Sequence, residues 1–563
     1  MGGGKAANSQ TKMTLFTDGT ETIKVSHRLT WVGGAIAAGF AAAILVVWLA
    51  SARLVFAASA GVITVNPGES IQAAINAAHP GDTILISPGT YTESLSLTKP
   101  VSLTGVSSAT VVINGGHLQR AIDVTGTTIN HSVIISGLTV ANGLATPDGQ
   151  SGCKCGGGIR LRGLASPLIV NVILTHNTSP GDGGGISADY GSDLVLNNVQ
   201  VLNNYSGRRG GGVYAGGTVD LIGGLFVSNT ACSAGDYSCI PGGGGGLYAE
   251  TTANITGTQF IDNRTYGPNG GGGGGVAANG LISITDASFI NNFAGGDFGG
   301  GGLFSFQEYG VIRIHDSRFV SNSGYIGGGI FSVGIVDITG GIFDHNMALD
   351  WGGGLAYLEG LDVIGSLGIT GTQFLANSAG NNPSPGQGGA IFVGGDHGAS
   401  VRVVNVLLGR NWAASGAAIE LLGNKSTTIL HTTIVGSAPL LGQAIAVTSG
   451  VLGITDTIIA SYSVGISQTA ALIREDYNLF FSVPVTSTAG VNSGGHSQQG
   501  DPAFADVSMN DYSLLAASKA IDAGIDAGVS VDWQGKKRPV LAGFDIGWEE
   551  FYPYRFHLPV IGP

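Results

Sequence analysis

The sequence contains few charged residues and few cysteines, and both shortages limit what the protein can be. Its 563 residues include 24 basic and 37 acidic side chains, 11% of the chain, whereas soluble proteins average about 25%. A hydrophobic content of 43% with so little charge excludes a disordered chain. Four cysteines cannot be the main source of stability in a protein of this length. The net charge of −13 argues against nucleic acid as a partner.

Glycine, in contrast, is abundant, with 97 residues, more than twice the usual share of about 7%. Proline is limited to 18 residues and glycine does not recur at every third position, which excludes a collagen triple helix. A compact domain stops enlarging its core near about 250–300 residues, whereas a repeat solenoid extends in one dimension. The composition therefore favours a long, glycine-rich solenoid.

The N-terminal region predicts export. Residues 29–52 carry no charge and are long enough to cross a bilayer as a helix. Basic residues precede this segment and only Arg53 follows it closely, so residues 1–28 are expected in the cytoplasm. A retained signal anchor, which makes the membrane a partner of this helix, is favoured over a signal peptide cleaved after Ala60. Both alternatives place the remaining chain at the cell surface or outside the cell.

A repeated unit defines residues 150–440. It contains a glycine run, an aliphatic residue, an alternating strand and then Phe-x-x-Asn. The strict copies of the last motif are Phe226/Asn229, Phe260/Asn263, Phe289/Asn292, Phe319/Asn322, Phe343/Asn346 and Phe374/Asn377. The positions five and seven residues before each Phe are apolar with polar residues between them, which indicates a strand with one buried face.

Stacking of these units pairs their strands in parallel and places Phe on Phe inside, while each Asn amide bonds to the Asn of the next coil. We therefore expect an all-β fold: a single right-handed parallel β-helix of roughly 14–15 coils over residues 62–490. A short helix after Ser70 is predicted to cap its first coil. Residues 491–563 are expected to form a C-terminal cap segment and tail.

These motifs resemble the repeats of polymorphic outer-membrane proteins, defined by Gly-Gly-Ala-[Ile/Leu/Val] and Phe-x-x-Asn. Residues 388–391 match the first motif strictly, and the other copies carry Gly in place of Ala. Residues 71–105 resemble the opening coils of pectate-lyase-like β-helices, and Asp545-Ile546-Gly547 resembles the ending of bacterial surface β-helix proteins. The resemblance implies an exported bacterial surface solenoid.

Because a β-helix fold carries no particular reaction, a catalytic hypothesis needs a cluster of side chains. The candidates are Arg313, His315 and Asp337, which the repeat register places on the outward face of neighbouring coils. They would serve a polysaccharide lyase or epimerase. An exposed cross-strand ion pair worth less than about 1 kcal/mol is the favoured alternative.

Three aspartates, Asp182, Asp297 and Asp350, each precede a glycine run and are weak candidate metal ligands. Ca²⁺ requires several converging oxygens, and whole coils separate these residues, so solvated turn carboxylates are favoured. Arg209 is expected to pair with Asp182 instead. No cofactor is expected, with Ca²⁺ as the remaining alternative.

The cysteines are expected to form disulfides, because an even number outside the cytoplasm favours them over thiols or zinc. Cys232 and Cys239 close a short loop and are the preferred pair. Cys153 and Cys155 remain unassigned because a bridge across one intervening residue is geometrically awkward. Three pairings of the four cysteines remain open.

A row of aromatic residues suggests a binding surface. In five of nine copies the second residue after the glycine run is aromatic: Tyr214, Tyr248, Phe304, Phe331 and Phe392. If the preceding aliphatic residue faces inward, these rings face outward about 4.8 Å apart, a spacing that suits an extended polysaccharide. Two alternatives are that loops cover the row or that the rings point inward.

Two functions follow from these observations. The first is a non-enzymatic surface protein that mediates adhesion or binds an extracellular polysaccharide or cell-surface glycan. The second is a polysaccharide lyase or epimerase that works in a groove along the solenoid. The sequence contains no recognised catalytic motif, which favours the first.

Overall fold

A computed structural model describes residues 60–147, 152–232, 243–267, 272–305, 310–360, 365–380, 385–423, 425–437 and 442–553. Among these residues no helix is long and apolar enough to cross a membrane. The predicted cytoplasmic segment 1–28 and membrane segment 29–52 lie outside the described residues.

The described residues form the predicted solenoid, a nearly all-β protein built from long parallel sheets. A short helix, Ile71–Ala77, covers its first coil as expected, with Ile71 and Ile75 buried. The helix begins there because the Ser70 hydroxyl accepts the backbone N–H of Ala73 at 3.1 Å and so caps the first turn.

Each coil contributes one or two strands to a first sheet, one strand to a second sheet and, in eight coils, one strand to a third. The first sheet contains Val62–Val65, Thr83–Ile86, Leu95–Leu97, Ser102–Gly105, Ile122–Thr125, Ile134–Ser136, Ile159–Arg162, Leu168–Val170, Ile186–Ala188, Leu194–Asn197, Val213–Ala215, Val219–Ile222, Leu247–Ala249, Ala253–Thr256, Val276–Ala278, Leu281–Thr285, Leu303–Ser305, Val311–His315, Ile330–Val333, Ile335–Thr339, Leu355–Leu358, Ser366–Thr370, Ile391–Gly394, Ser400–Val404, Ile419–Leu421, Ser426–Leu430, Gln443–Thr455, Val464–Asp476, Val485–Ser487 and Val491–Ser493.

The second sheet contains Gly89–Tyr91, Val111–Asn114, Thr139–Ala141, Ile173–Thr175, Gln200–Leu202, Leu225–Val227, Gln259–Ile261, Ser288–Ile290, Arg318–Val320, Ile342–Asp344, Gln373–Leu375, Leu407–Gly409, Thr433–Val435, Ile458–Ala460, Leu479–Phe481 and Gln498–Gln499. The third contains Thr178–Ser179, Tyr205–Ser206, Thr230–Ala231, Arg264–Tyr266, Phe293–Gly295, Ser323–Ile326, Met347–Trp351 and Ser378–Ala379. The second sheet has 16 strands, one per coil, slightly more than the number of coils predicted.

The phenylalanines of the repeat stack inside the coils, as the register predicted. Neighbouring rings lie 4.5–5.0 Å apart between centroids. Phe289 is fully buried, and the strands on either side place it opposite Phe260 and Phe319. The row therefore forms a continuous part of the core.

The asparagines form a hydrogen-bonded ladder between the second and third sheets. Asn292 illustrates one rung: its Nδ2 donates to Asn322 Oδ1 at 2.9 Å and to the Phe260 carbonyl at 2.8 Å. The backbone N–H of Asn292 also donates to Asn322 Oδ1, at 3.0 Å. The ladder consists of Asn177, Asn204, Asn229, Asn263, Asn292, Asn322, Asn346, Asn377 and Asn411, all buried. The predicted amide contact between coils is confirmed.

Glycine runs occupy the corner between the third and first sheets because backbones approach closely there. A Cβ added to Gly245 would lie 2.3 Å from the carbonyl oxygen of Gly274 and 2.6 Å from the backbone nitrogen of Arg264. Both distances are shorter than any side chain tolerates. Steric contact thus explains the glycine content.

After the last coil, residues 500–553 pack along the outer face of the second sheet; we call this segment the C-terminal strap. It contains the antiparallel strands Phe504–Asp506 and Asp511–Leu514 and the 3₁₀ helix Val507–Met509. Its apolar side chains pack on the sheet, and the buried members of this contact are Leu375, Leu407, Val435, Ile458, Ala460, Leu479, Tyr512, Leu514, Ala520, Ile546 and Trp548.

Beneath the strap lies a fully buried pair, His431 and Asp456, with Nε2 and Oδ2 3.4 Å apart. The other carboxylate oxygen, Oδ1, accepts the backbone N–H of Ile525 at 2.9 Å. Burial raises the pKa of Asp456 to about 7 and lowers the pKa of His431 to about 3. At weakly acidic pH both side chains are therefore uncharged.

Replacement of Asn292 tests the ladder. In Asn292→Ala, the side-chain amide of Asn263, the backbone N–H of Asn263 and the Phe260 carbonyl each lose a hydrogen-bond partner. A buried polar group without a partner lowers the free energy of unfolding by about 1–3 kcal/mol. We expect a loss of several kcal/mol in urea unfolding. Ser283→Ala, on the outer face of the first sheet, should stay within about ±0.5 kcal/mol. Equal unfolding midpoints for the two variants would contradict this account.

Asp456→Asn tests the buried pair. The pKa of Asp456 is higher in the folded protein than in the unfolded chain. Its contribution to stability is therefore fully present at a pH below the pKa of the unfolded chain and is lost as pH rises through about 7. The variant should keep the bond to Ile525 and melt above wild type at about pH 8, with the gap closing towards about pH 5. The exposed Asp526→Asn is the control. A lower melting point for Asp456→Asn at the higher pH would instead indicate a stabilising ion pair with His431.

Candidate functional site

The aromatic row predicted to bind glycans is covered rather than exposed. Tyr248, Phe304, Phe331 and Phe392 are 4%, 6%, 0% and 1% exposed, and only Tyr214 is half-buried. The expectation that the rings form an open surface is therefore wrong. They lie on the outer face of the first sheet, as the register predicted, but they form an apolar cluster of their own there together with side chains of the third sheet.

The cover comes from the third sheet. Its strands Ser323–Ile326 and Met347–Trp351 extend further towards the glycine corner than their neighbours do. Ile326 therefore packs in the same cluster as the row, and the Trp351 ring stacks 5.0 Å from the Phe392 ring. Burial of these rings is a packing contribution to stability.

The catalytic candidates lie on an open strand face. Arg313 and Asp337 are register partners on adjacent coils, as predicted, and both are exposed. Among the described ion pairs none joins them, and His315 instead lies 3.0 Å from the neighbouring Asp316. These residues are not enclosed with any third group, so the structure gives no support to catalysis there.

The three metal candidates are held in different surroundings. Asp182 is buried and pairs with Arg209, Nε to Oδ1 3.3 Å, which confirms the predicted contact. Asp297 is exposed, and Asp350 is partly buried. Within the part of the chain that the structure describes, no three His, Cys, Asp or Glu side chains converge as metal ligands would.

Cys153 and Cys155 form a disulfide, the pairing that the sequence left unassigned. Cys232 is also disulfide-bonded. Its predicted partner, Cys239, lies outside the described residues.

A half-buried cluster of charged and tyrosine side chains occupies the N-terminal end of the aromatic row. The Arg209 guanidinium lies over the rings of Tyr214 and Tyr248, 4.8 and 4.9 Å from their centroids. The two rings are parallel and 5.7 Å apart. Arg209 also forms ion pairs with Asp182 and Glu250, so carboxylates from an earlier and a later coil hold it in place.

Glu250 connects the tyrosines to this arginine. The Tyr214 hydroxyl donates to Oε1 at 3.2 Å and the Tyr248 hydroxyl to Oε2 at 3.5 Å. Asn279 completes the cluster, because its Nδ2 donates to the Tyr248 hydroxyl at 2.8 Å. The polar side chains of this cluster therefore form hydrogen bonds with one another.

The electrostatics of this cluster favour the protonated forms of its two tyrosines and its arginine. Burial raises the pKa of Tyr214 and of Tyr248, and the charge of Glu250 raises both further. Burial also lowers the pKa of Arg209, but the hydrogen bond and charge of Asp182 outweigh it and raise the pKa overall. All three groups therefore keep their protons at neutral pH.

Sequence reasoning missed an arginine that continues the same row. Arg160 is the register partner of Ser187, is 4% exposed and lies 2.5 Å from Asp189. The signal was present, because the glycine run 156–158 precedes Ile159-Arg160 just as later runs precede an aliphatic and an aromatic residue.

An open depression lies on the outer face of the third sheet across three successive coils. Its volume is about 300 Å³, and it is lined by residues 293–297, Ser323, Gly324, Tyr325, Met347 and Leu349. Gly295 has no side chain, and a Cβ there would lie 2.7 Å from the Phe293 ring. The absence of this side chain therefore leaves room beside that ring.

The walls of the depression are apolar and accessible. Met347 is 44% and Leu349 37% exposed, and Phe293 and Tyr325 are half-buried. The Tyr266 ring, 5.6 Å from Phe293 and tilted by 53°, extends this surface by one coil. We call this set, with Asp297, the third-sheet depression.

One position of the repeat contributes to this surface in the sequence itself. The residue directly after each ladder Asn faces outward on the third sheet, and this position holds Tyr205, Phe293 and Met347. In other coils this position holds Thr, Ser or Arg and, after Asn411, Trp412, so it has no consensus.

Comparisons with known proteins were made at three levels. No protein-family model and no curated protein sequence matches the chain. Among solved structures, pectate lyase Pel9A is similar at 12% identity and a TM-score of 0.27, covering 87% of this chain and 97% of that one. The A-module of the mannuronan C-5 epimerase AlgE6 of Azotobacter vinelandii is similar at 13% identity and a TM-score of 0.22, covering 77% and 94%. The polymorphic outer-membrane-protein repeats stay a resemblance of motifs alone.

Because Arg313, His315 and Asp337 are exposed and no ion pair of the described residues joins Arg313 to Asp337, we expect that the protein does not cleave polyuronates by elimination. We expect no increase in the ultraviolet absorbance of unsaturated product when the protein is incubated with polygalacturonate or alginate. A polyuronate lyase under the same conditions is the positive control. Formation of unsaturated product by wild type would contradict the prediction. Loss of that activity in Arg209→Met or in Arg313→Ala would then show which region contains the catalytic base.

Proposed function

We propose that this chain is a non-enzymatic glycan-binding β-helix and that the third-sheet depression is its binding site. The observation that carries the proposal is the set of accessible rings and apolar side chains around a glycine-lined depression. Accessible apolar surface of this kind marks interaction sites on soluble proteins. Pockets for small ligands are likewise mainly apolar with a few polar groups, here Asp297 and Ser323.

The repeat of the solenoid suits an extended saccharide. Phe293, Ser323 and Met347 are register partners on consecutive coils, about 4.8 Å apart. A glycan that lies along the solenoid axis would meet an equivalent position at each coil. Flat rings contact the apolar faces of sugars, and the neighbouring hydroxyl and carboxylate groups accept or donate hydrogen bonds at the sugar edges.

A binding function also agrees with the chemistry of the polar cluster. Arg209, Tyr214 and Tyr248 keep their protons, and Glu250 and Asp182 are engaged in holding Arg209. The cluster thus supports the geometry of the corner near Tyr248, and its own charged groups are engaged with one another. These contacts favour binding over the lyase or epimerase alternative.

The proposal includes a location at the cell surface. The uncharged segment 29–52 and the basic residues before it predict that the solenoid lies outside the membrane, anchored or released. In that position the depression would meet extracellular polysaccharides or the glycans of other cells, and adhesion is the expected role.

The proposal is tested with Phe293→Ala/Tyr325→Ala, assayed on a glycan array and then by calorimetry with the glycans that wild type binds. Loss of two ring contacts of about 1 kcal/mol each should weaken binding by about tenfold or more. Tyr190→Ala is the matched control, because Tyr190 is 73% exposed and lies outside the depression. Met347→Ser/Leu349→Ser probes the same walls through two exposed side chains. Unchanged affinity in both depression variants, with unchanged melting points, would contradict the proposal.

A further inference from the structure

The charges around the third-sheet depression indicate which glycans it would accept; this inference rests on the proposed function above. The residues that line the depression include one charged side chain, Asp297, and no Lys or Arg. A second carboxylate, Asp350, follows Leu349 at the edge of the same surface.

The position of Asp350 follows from the strand register. Ile326 and Trp351 are register partners, and the register shifts between Gly324 and Ile326, so Leu349 and Asp350 together lie one coil beyond Tyr325. The side chain is partly buried, and this burial raises the pKa of Asp350 above its ordinary value. Removal from water without a compensating cation is unfavourable for this carboxylate.

Among the described residues no cation forms an ion pair with either carboxylate. The ion pairs of the described residues include neither Asp297 nor Asp350. The nearest arginine along the row is Arg264, the register partner of Phe293, and its NH1 donates to the Tyr266 hydroxyl at 3.5 Å. By contrast, Asp182, at the corresponding corner of an earlier coil, is paired with Arg209.

We infer that the depression selects glycans that carry free amino groups, such as de-N-acetylated hexosamine polymers. A protonated amine supplies a positive charge that can pair with Asp297 and Asp350. The faces of the Phe293 and Tyr325 rings attract a cation as well. Polyuronates bring a carboxylate on each sugar towards these two aspartates and are repelled. N-acetylated and other neutral glycans retain the ring contacts but gain nothing from the carboxylates.

The inference is tested by calorimetry with three oligosaccharides of equal length: β-1,4-linked glucosamine, its N-acetylated form and galacturonate, at a pH where the amine is protonated. Wild type should bind the amine form about tenfold more tightly than the acetylated form, since each exposed pair contributes about threefold. The preference should shrink as salt is raised. Asp297→Asn/Asp350→Asn should lose the preference and keep its affinity for the acetylated form.

Asp316→Asn/Asp526→Asn is the control, because it removes the same charge at sites away from the depression and should leave the preference unchanged. Equal or tighter binding of the acetylated or acidic oligosaccharide by wild type would overturn the inference and leave the proposed function standing. Persistence of the preference in Asp297→Asn/Asp350→Asn would also overturn it. Absence of binding to all three, with the fold intact, would overturn the inference, whereas the glycan array decides the proposed function.

Discussion

The asparagine ladder is the interaction on which the rest of the solenoid depends. A neutral hydrogen bond contributes only about 1 kcal/mol to stability, but a buried amide without partners costs more, and these amides are buried and shared between coils. A residue in the left-handed region precedes the ladder position, for example Asn291 with φ 53° and Ser321 with φ 54°. This turn aims each amide at the next coil. A shift of the strand register by one residue would leave several buried amide groups without hydrogen-bond partners. The ladder therefore fixes the register that aligns the phenylalanines and the glycines.

Features that repeat in every coil could be predicted from the sequence. The buried Phe289, the ladder Asn292 and the glycine corner all recur at fixed spacing, and stacking turns such a repeat into contacts between coils. The helix after Ser70 was predictable because its capping residue and buried face are local. The pairing of Asp182 with Arg209 followed from the register once the coil length was known.

The candidate site was not predictable in the same way, because it depends on what differs between coils. The covering of Phe331 and Phe392 results from two strands of the third sheet, Ser323–Ile326 and Met347–Trp351, that extend further than the others. The lengths of these two strands do not follow from the sequence repeat. The depression beside them combines Gly295 next to the Phe293 ring with Tyr325, Met347 and Leu349, and these residues follow no sequence repeat. Asp350 and Asp182 occupy similar corners of different coils. Asp182 forms an ion pair because the next coil supplies Arg209, and among the described residues Asp350 has no such partner.

The ladder also bears on how such a protein can change over generations. Each Asn bonds only to the coil before and the coil after it, so the solenoid is a series of nearest-neighbour couplings. Duplication or loss of one whole coil joins two equivalent rungs and preserves every bond of this type. An insertion within the segment between a ladder Asn and the next glycine run leaves the rungs untouched and remodels only the outer surface. The molecule can therefore lengthen, shorten or acquire a new binding face by recombination between its own repeats, while its backbone geometry is inherited unchanged.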